Sequence, residues 1–331
     1  MPILSVILPV YNGLPYLKEA ISSILSQSFL DFELIIIDDG STDDSGDVAR
    51  SFHDPRVQFY RQQNKGLAAT LNWGISICCG EYIARQDQDD VSFPLRFERQ
   101  IEFMRANPEV GILGSAAEIW VGNEHTNRVL RHPTDDVSLR FAMLFNNYFV
   151  HSSMMIRRTV FQSTGYYSED KGKQPPEDYE LWSRVMRKFK IANLSEILMA
   201  YREIPSSMSR SGVSPFLVNL ERISAENLSW ATGQSRDSPA IVALSKLHQG
   251  DFIGIPKDIR YKELKEIVGS AAENLSEKSN TPLEMLRVER DKMNRQILYK
   301  YIDYRTGGLI AFLRRHGVLD MIRKRFSRFA T

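Results

Sequence analysis

Three carboxylates fall within four residues at Asp87-Gln88-Asp89-Asp90. Like charges at that density repel unless a cation or hydrogen-bond donors compensate them. Hard divalent cations such as Mn2+ or Mg2+ take oxygen ligands and complete their shell with water and phosphate. An Asp-x-Asp turn therefore suits a metal that bridges the protein and a diphosphate. The same acids also suit a helix entry, where the dipole favours negative charge. The motif alone leaves both readings open.

Four further groups invite chemistry. In Asp38-Asp39-Gly40-Ser41-Thr42-Asp43, Asp39 is assigned to a ligand, a base N–H or a ribose hydroxyl. Ser41 to Asp44 are assigned to helix capping. Asn64-Lys65-Gly66 can face phosphate or base from a helix start, or be an ordinary helix entry. Pro175-Pro176-Glu177-Asp178 places two acids in the first turn of a helix, as a general base or as dipole complement. Trp182 follows Asp178 by one helical turn on the same face. An aromatic there suits stacking on a sugar acceptor, with core packing as the alternative. His151 is a candidate metal ligand or acceptor contact, or a structural histidine.

These groups need elements to hold them. Ile3–Leu8, Phe32–Ile37, Val57–Tyr60 and Tyr82–Ala84 are short apolar runs separated by helical patterns such as Leu17, Ala20, Ile21, Ile24 and Leu25. This βαβα order predicts a mainly parallel sheet flanked by helices. Ligands of such sheets bind beyond the carboxyl ends of the strands. The polar turns Pro9–Gly13, Asp38–Asp44 and Asp87–Asp90 all follow strand ends, so they are expected to share one pocket. After about residue 110 the order is mixed. Strands are expected at Gly111–Trp120, Phe149–Ile156 and Ile197–Tyr201, and a helix at Glu177–Phe189. Beyond about residue 215 the pattern is helical.

Composition narrows the function class. The 331 residues are 43% hydrophobic and 25% charged with a formal net charge of +1, ordinary for a soluble domain and giving no global attraction to nucleic acid. Cys78 and Cys79 are adjacent, which excludes a disulfide framework and reads as small core residues in a reducing compartment. No secretory signal or membrane span is visible, so a cytoplasmic location is expected. Residues 307–331 combine Phe312, Leu319, Ile322, Phe326 and Phe329 with Arg314, Arg315, Arg323, Lys324, Arg325 and Arg328. That pattern suits a basic amphipathic helix on the inner face of the membrane, or a docked terminal helix. No dinucleotide fingerprint, Walker loop, His-Glu-x-x-His or nucleophile elbow is present.

The ordered set of segments resembles the family 2 glycosyltransferases, an inverting group with the GT-A fold. SVILPVYNGLPYLKEAISSILSQSF, FELIIIDDGSTD, NKGLAATLNWGI, GEYIARQDQDD, PLRFERQ, HSSMMIRR and PPEDYELWSRV follow in the family's order over about residues 3–210. The resemblance implies a nucleotide-sugar donor, a glycan or lipid-linked acceptor and a divalent cation, Mn2+ or Mg2+. It implies a GT-A domain over 1–215, with a nucleotide half to about 110 and an acceptor half from about 111, and a helical extension over 216–331. Pro9, Val10, Tyr11, Asn12, Asp39, Lys65, Gly66, Asp87 and Gln88 would hold the donor, with Asp39 facing the base. Asp89 and Asp87 would take the metal, leaving Asp90 a local structural acid. Asp178 would be the base, with Glu177, Trp182 and His151 near the acceptor. Family members carry a histidine in a Tyr-Arg-x-His segment where this chain has Ile204. Glu203 and His151 are the candidates to compensate. As the base, Asp178 need not have a raised pKa, since an ordinary carboxylate, ~3.9 in peptides, is ionised at neutral pH. Two other classes compete, a nucleotidyltransferase and a non-catalytic nucleotide-sugar-binding module. The first normally needs a glycine-rich basic loop after the first strand, and Pro9–Gly13 has one glycine and no basic residue.

Overall fold

The computed structural model describes residues 1–204 and 215–307. The basic C-terminal stretch thus lies outside the described residues, Gly307 apart. The strands are β1 (Leu4–Val10), β2 (Phe32–Asp38), β3 (Val57–Arg61), β4 (Tyr82–Arg85), β5 (Val91–Ser92), β6 (Val110–Val121), β7 (Glu124–Leu130), β8 (Met155–Arg157) and β9 (Lys190–Glu203). The helices are α1 (Leu17–Leu25), α2 (Ser45–Arg50), α3 (Leu67–Ile77), α4 (Arg96–Ala106), α5 (Asp136–Met143), α6 (Thr159–Thr164), α7 (Glu177–Val185), α8 (Pro215–Thr232), α9 (Pro239–Gln249), α10 (Tyr261–Ser279) and α11 (Leu283–Arg305). The chain divides into two compact units, Met1–Asn219 and Leu220–Thr331.

The first unit is built on one sheet in the order β3-β2-β1-β4-β8-β6-β9-β5, with β7 paired to β6. Every residue of β1 and β2 is buried, as strands covered on both faces require. β1 pairs in parallel with β2 and β4, and β2 with β3. Val10 lies opposite Asp38, and Ile7 opposite Arg85. The turns after β1, β2 and β4 therefore leave the same edge. α1 buries Leu17, Ala20, Ile21 and Ile24 against a core that includes Leu8, Leu34, Phe97 and Met155.

The sheet becomes mixed past β4. β8 is antiparallel to β4 and β6, whereas β6 runs parallel to β9. The strand expected over Phe149–Ile156 is broken by a 3-10 turn at His151–Ser153. Ser153 explains the break. Its hydroxyl donates to Val150 O at 2.7 Å and accepts from Ser115 N at 3.1 Å, while its carbonyl accepts from Gln100 Nε2 at 2.7 Å. β9 begins at Lys190 rather than Ile197, and α7 ends at Val185 rather than Phe189. Cys78 is buried but Cys79 is exposed, so only Cys78 is a core residue, and burial pushes its thiol up to about 12.

In the second unit α9, α10 and α11 pack through Leu244 and Leu247, Leu264, Val268 and Leu275, and Leu286 and Ile297, all buried. Among the described residues no helix is long and apolar enough to cross a membrane.

Candidate active site

The three polar turns are laced together by hydrogen bonds. Tyr11 N donates to Gln88 Oε1 at 2.8 Å, and Gln88 Nε2 donates back to Tyr11 O at 3.0 Å. Asn12 N donates to Ser41 Oγ at 3.0 Å, while Thr42 N donates to Asn12 Oδ1 at 2.8 Å. Asn12 takes a φ of +50°, which asparagine tolerates better than most residues. Pro9 and Val10 are buried within β1, so neither side chain offers a surface to a ligand. Tyr11 does, at 47% exposure. Ser41 is spent on Asn12, and α2 has no side-chain cap. Of the expected capping set, Asp43 bonds Ser45 N at 3.1 Å.

Asp39 ties the second turn to the start of α3. Its carboxylate accepts from Lys65 N at 2.9 Å, Gly66 N at 2.8 Å and Gln62 Nε2 at 2.7 Å. Gly66 has a φ of +92°, a conformation open to glycine at little cost. A carboxylate offers about four lone-pair sites, so at least three of Asp39's are engaged by the protein itself. Asp39, Lys65 and Gly66 thus form one structural unit.

Ligand atoms of Asp87, Asp89 and Asp90 lie within 4.8 Å of one another. Arg85, its side chain 3% exposed, grips both oxygens of Asp87. Ser152 Oγ donates to Asp87 Oδ2 at 3.0 Å and accepts from Asp87 N at 2.8 Å. Asp90 Oδ1 accepts from Arg202 N at 2.7 Å, while its Oδ2 is buried without a partner. Burial and then the charge of Asp87 push Asp89 up to about 6, and burial with Asp87 and Asp89 holds Asp90 well above the carboxylate range. A buried oxygen with no donor, among acids that resist ionisation, fits a hard divalent cation with oxygen ligands. Glu203 pairs with Arg128 at 2.6 Å, so its carboxylate is committed to β7.

Asp178 lies in the first turn of α7 at 9% exposure. Its Oδ2 accepts from Asn147 Nδ2 at 2.7 Å and its Oδ1 from Tyr179 N at 2.7 Å. Burial nonetheless raises Asp178 above an ordinary carboxylate, against the opposing pull of Tyr179 N–H, Arg85 and Asn147. The sequence did not require a raised value; burial supplies one. Burial, then the charge of Asp178, pushes Glu177 up to about 7. His151 Nδ1 lies 3.9 Å from Glu177 Oε1 and 4.0 Å from Asp178 Oδ2, beyond hydrogen-bond reach. Its Nε2 pairs with Tyr167 Oη at 3.0 Å. Burial and then Arg85 hold His151 well below its usual range, so it is neutral near pH 7.

Trp182 takes the core-packing alternative and not the acceptor platform. It is 0% exposed and packs edge-on against His151 at 6.0 Å, Tyr167 at 6.1 Å and Phe149 at 6.2 Å. No face remains for a sugar, and its part is to back His151 and Tyr167. Arg85, Ser152, Asn147 and Tyr167 also line the candidate site; Arg85 and Ser152 lie within GEYIARQDQDD and HSSMMIRR without being singled out, and Asn147 and Tyr167 lie in no motif. Only the run of acids beside Arg85 hints that an arginine ending a strand is spoken for.

Known proteins align with this arrangement. Residues 5–165 match the model of Glycosyl transferase family 2. The O-antigen biosynthesis glycosyltransferase WbnJ of Escherichia coli is 32% identical over 222 residues, 65% of this chain and 85% of WbnJ. EpsE of Bacillus subtilis (strain 168) is 34% identical over 214 residues, 63% of this chain and 76% of EpsE. Among solved structures, S. aureus TarS 1-349 in complex with UDP-GlcNAc superposes with a TM-score of 0.61 at 18% identity, covering 92% of each chain. At that identity the likeness speaks for the fold, which is GT-A. The chain belongs to glycosyltransferase family 2 and is a glycosyltransferase.

Proposed function

We propose that the chain is an inverting transferase that moves a sugar from a nucleotide-sugar donor, a UDP-sugar, to a hydroxyl of a glycan or lipid-linked acceptor in cell-surface polysaccharide synthesis. One observation carries the reading. The 3-10 turn His151–Ser153 touches both ends of the reaction: Ser152 bonds Asp87, and His151 stands 4.0 Å from Asp178. That shared neighbour supports reading the aspartate turn and the buried acid of α7 as two sides of one centre.

In the proposed reaction the acceptor oxygen attacks the anomeric carbon as the bond to the diphosphate oxygen breaks. Asp178 takes the acceptor proton, and the nucleoside diphosphate leaves with its electron pair. Asn147 and Tyr179 N–H fix the carboxylate and leave the rest of its lone pairs to the acceptor. His151, being neutral, adds no positive charge to trap that proton. Asp89, with Asp87 and Asp90, would hold the divalent cation, which when bound neutralises charge on the departing diphosphate. A glycosidase needs a second carboxyl to protonate its leaving group; a diphosphate does not. Tyr11 offers its ring to the nucleoside, and the Asp39–Lys65–Gly66 unit forms the neighbouring wall.

Support also comes from relatives. WbnJ is named for O-antigen biosynthesis; TarS was solved with UDP-GlcNAc, and a mannosyltransferase of the same fold with GDP-Man and Mn2+. The test is a panel of UDP- and GDP-sugars incubated with purified protein, with Mn2+ or with chelator, reading nucleoside diphosphate release and the anomer of the product by NMR. Metal-dependent release and an inverted anomer support the reading. Release of pyrophosphate, or retention of configuration, contradicts it.

A further inference from the structure

A cavity of about 580 Å3 opens along α3, between that helix and the Tyr166–Glu169 segment, and shares Gln62 and Lys65 with the Asp39 wall assigned to the nucleoside. Trp73 stands on one side and Tyr166 on the other. Each ring is held by a second: Trp73 meets Tyr60 edge-on at 5.5 Å, and Tyr166 stacks on Phe161 at 5.9 Å. Tyr166 is 48% exposed. Asn72 sets the gap between the walls. Its Nδ2 donates to Tyr167 O at 3.0 Å and Glu169 Oε1 at 2.8 Å, and its Oδ1 accepts from Tyr167 N at 3.0 Å.

Around the rings stand polar groups with capacity to spare. The Lys65 ammonium makes no ion pair among the described residues. Glu169 has a second carboxylate oxygen beside the one Asn72 holds. A smaller cavity of about 250 Å3 shares Lys65 and Glu169 and continues toward Lys171 and Gln174. Fixed, part-exposed rings flanked by a carboxylate, an ammonium and amides match a pyranose, whose C–H faces lie on rings while its hydroxyls bond charged groups. Volumes of roughly 300–1,000 Å3 take small organic ligands, so one or two hexose units fit.

We propose that this groove is a glycan subsite holding sugar units of the acceptor at a distance from the reacting hydroxyl. The proposal rests on the transferase reading. Chain connectivity links the two places: Tyr166 lines the groove, and the next residue, Tyr167, bonds His151 beside Asp178. A glycan seated on Tyr166 would therefore lie next to the segment that backs the base. The groove adds binding to the acceptor chain without touching the anomeric carbon.

Saturation-transfer NMR with full-length protein tests it, using maltotriose, cellotriose, chitotriose and mannotriose at about 1 mM. At least one is expected to bind wild type, Trp73→Ala and Tyr166→Ala should each weaken it about tenfold, and saturating UDP or GDP should not displace it. Tyr166 is exposed, so its variant reports even where Trp73→Ala fails to fold. The proposal is overturned when no trisaccharide binds, when binding survives Tyr166→Ala unchanged, or when UDP or GDP competes, which would make the groove part of the nucleotide site. Release of nucleoside diphosphate by wild type is measured in parallel. Release without glycan binding removes the groove and leaves the transferase reading standing; binding without release removes the transferase reading and with it the acceptor role of the groove, leaving a bare glycan site.

Discussion

Asn147 donates its side-chain amide to Asp178 Oδ2 at 2.7 Å across 31 residues of chain. Burial works to protonate this acid, and Tyr179 N–H, Arg85 and the Asn147 amide work to keep it ionised. That balance would set the pH at which the proposed base becomes available. A carboxylate that must stay ionised in a dry pocket needs such donors.

Asn147→Ala removes a bond made to the charged form, so the Asp178 carboxyl should rise further. The acid limb of kcat/KM should move to higher pH by about one unit, with the plateau at alkaline pH retained. An unmoved limb means that Asp178 does not govern it.

Glu177 should act on stability in the opposite sense to a salt-bridged acid. Its folded value of about 7 lies above the ordinary 4.5, so between these pH values the folded state binds more protons than the unfolded one. Its contribution is most favourable below the ordinary value and declines as pH rises toward 7. Glu177→Gln should therefore gain Tm over wild type at about pH 8, by a few degrees, and gain little at about pH 5. Thermal unfolding at the two pH values in chelator checks this.

Asp89→Ala should abolish the Mn2+-dependent part of donor binding, a loss of about a hundredfold or more. Arg85→Gln frees Asp87 from its ion pair and should weaken the same step less. Calorimetry with and without Mn2+ separates them. Equal donor affinity of Asp89→Ala and wild type in Mn2+ would remove the cation from the aspartate turn.

Gly40 has a φ of +80°, and a Cβ there would meet Asn64 N at 2.8 Å. Gly40→Ala combines a left-handed backbone with a backbone clash and should cost about 2 kcal/mol. Because the strain falls between Asp39 and Lys65, nucleotide affinity should drop as well, in chelator as in Mn2+. Urea unfolding and nucleotide titration read the two effects.

The parallel half of the sheet was legible because β1 and β2 are continuous apolar runs that stop at polar turns. The meeting of Tyr11, Asp39 and Gln88 at one edge followed from strand direction alone. What lay hidden is contact between distant residues. Asn147 sits in a short connection without a motif, and only the fold carries it to Asp178. Trp182 has the spacing of an acceptor platform but turns inward, enclosed by the rings of His151, Tyr167 and Phe149. β7 was not legible, since Glu124–Leu130 has no apolar run and exposes most of its residues at the sheet's margin. The 3-10 turn at His151 interrupts what local propensity presents as one strand, and that interruption brings Ser152 to Asp87.

The base assignment is tested most directly by Asp178→Asn in single-turnover transfer, using the donor and acceptor that wild type converts fastest. Asparagine keeps the size of the side chain but cannot take a proton. A rate loss of about a thousandfold or more, with donor affinity within about twofold of wild type, is the result predicted. A rate within about tenfold of wild type, or a loss matched by an equal loss of donor binding, would contradict it.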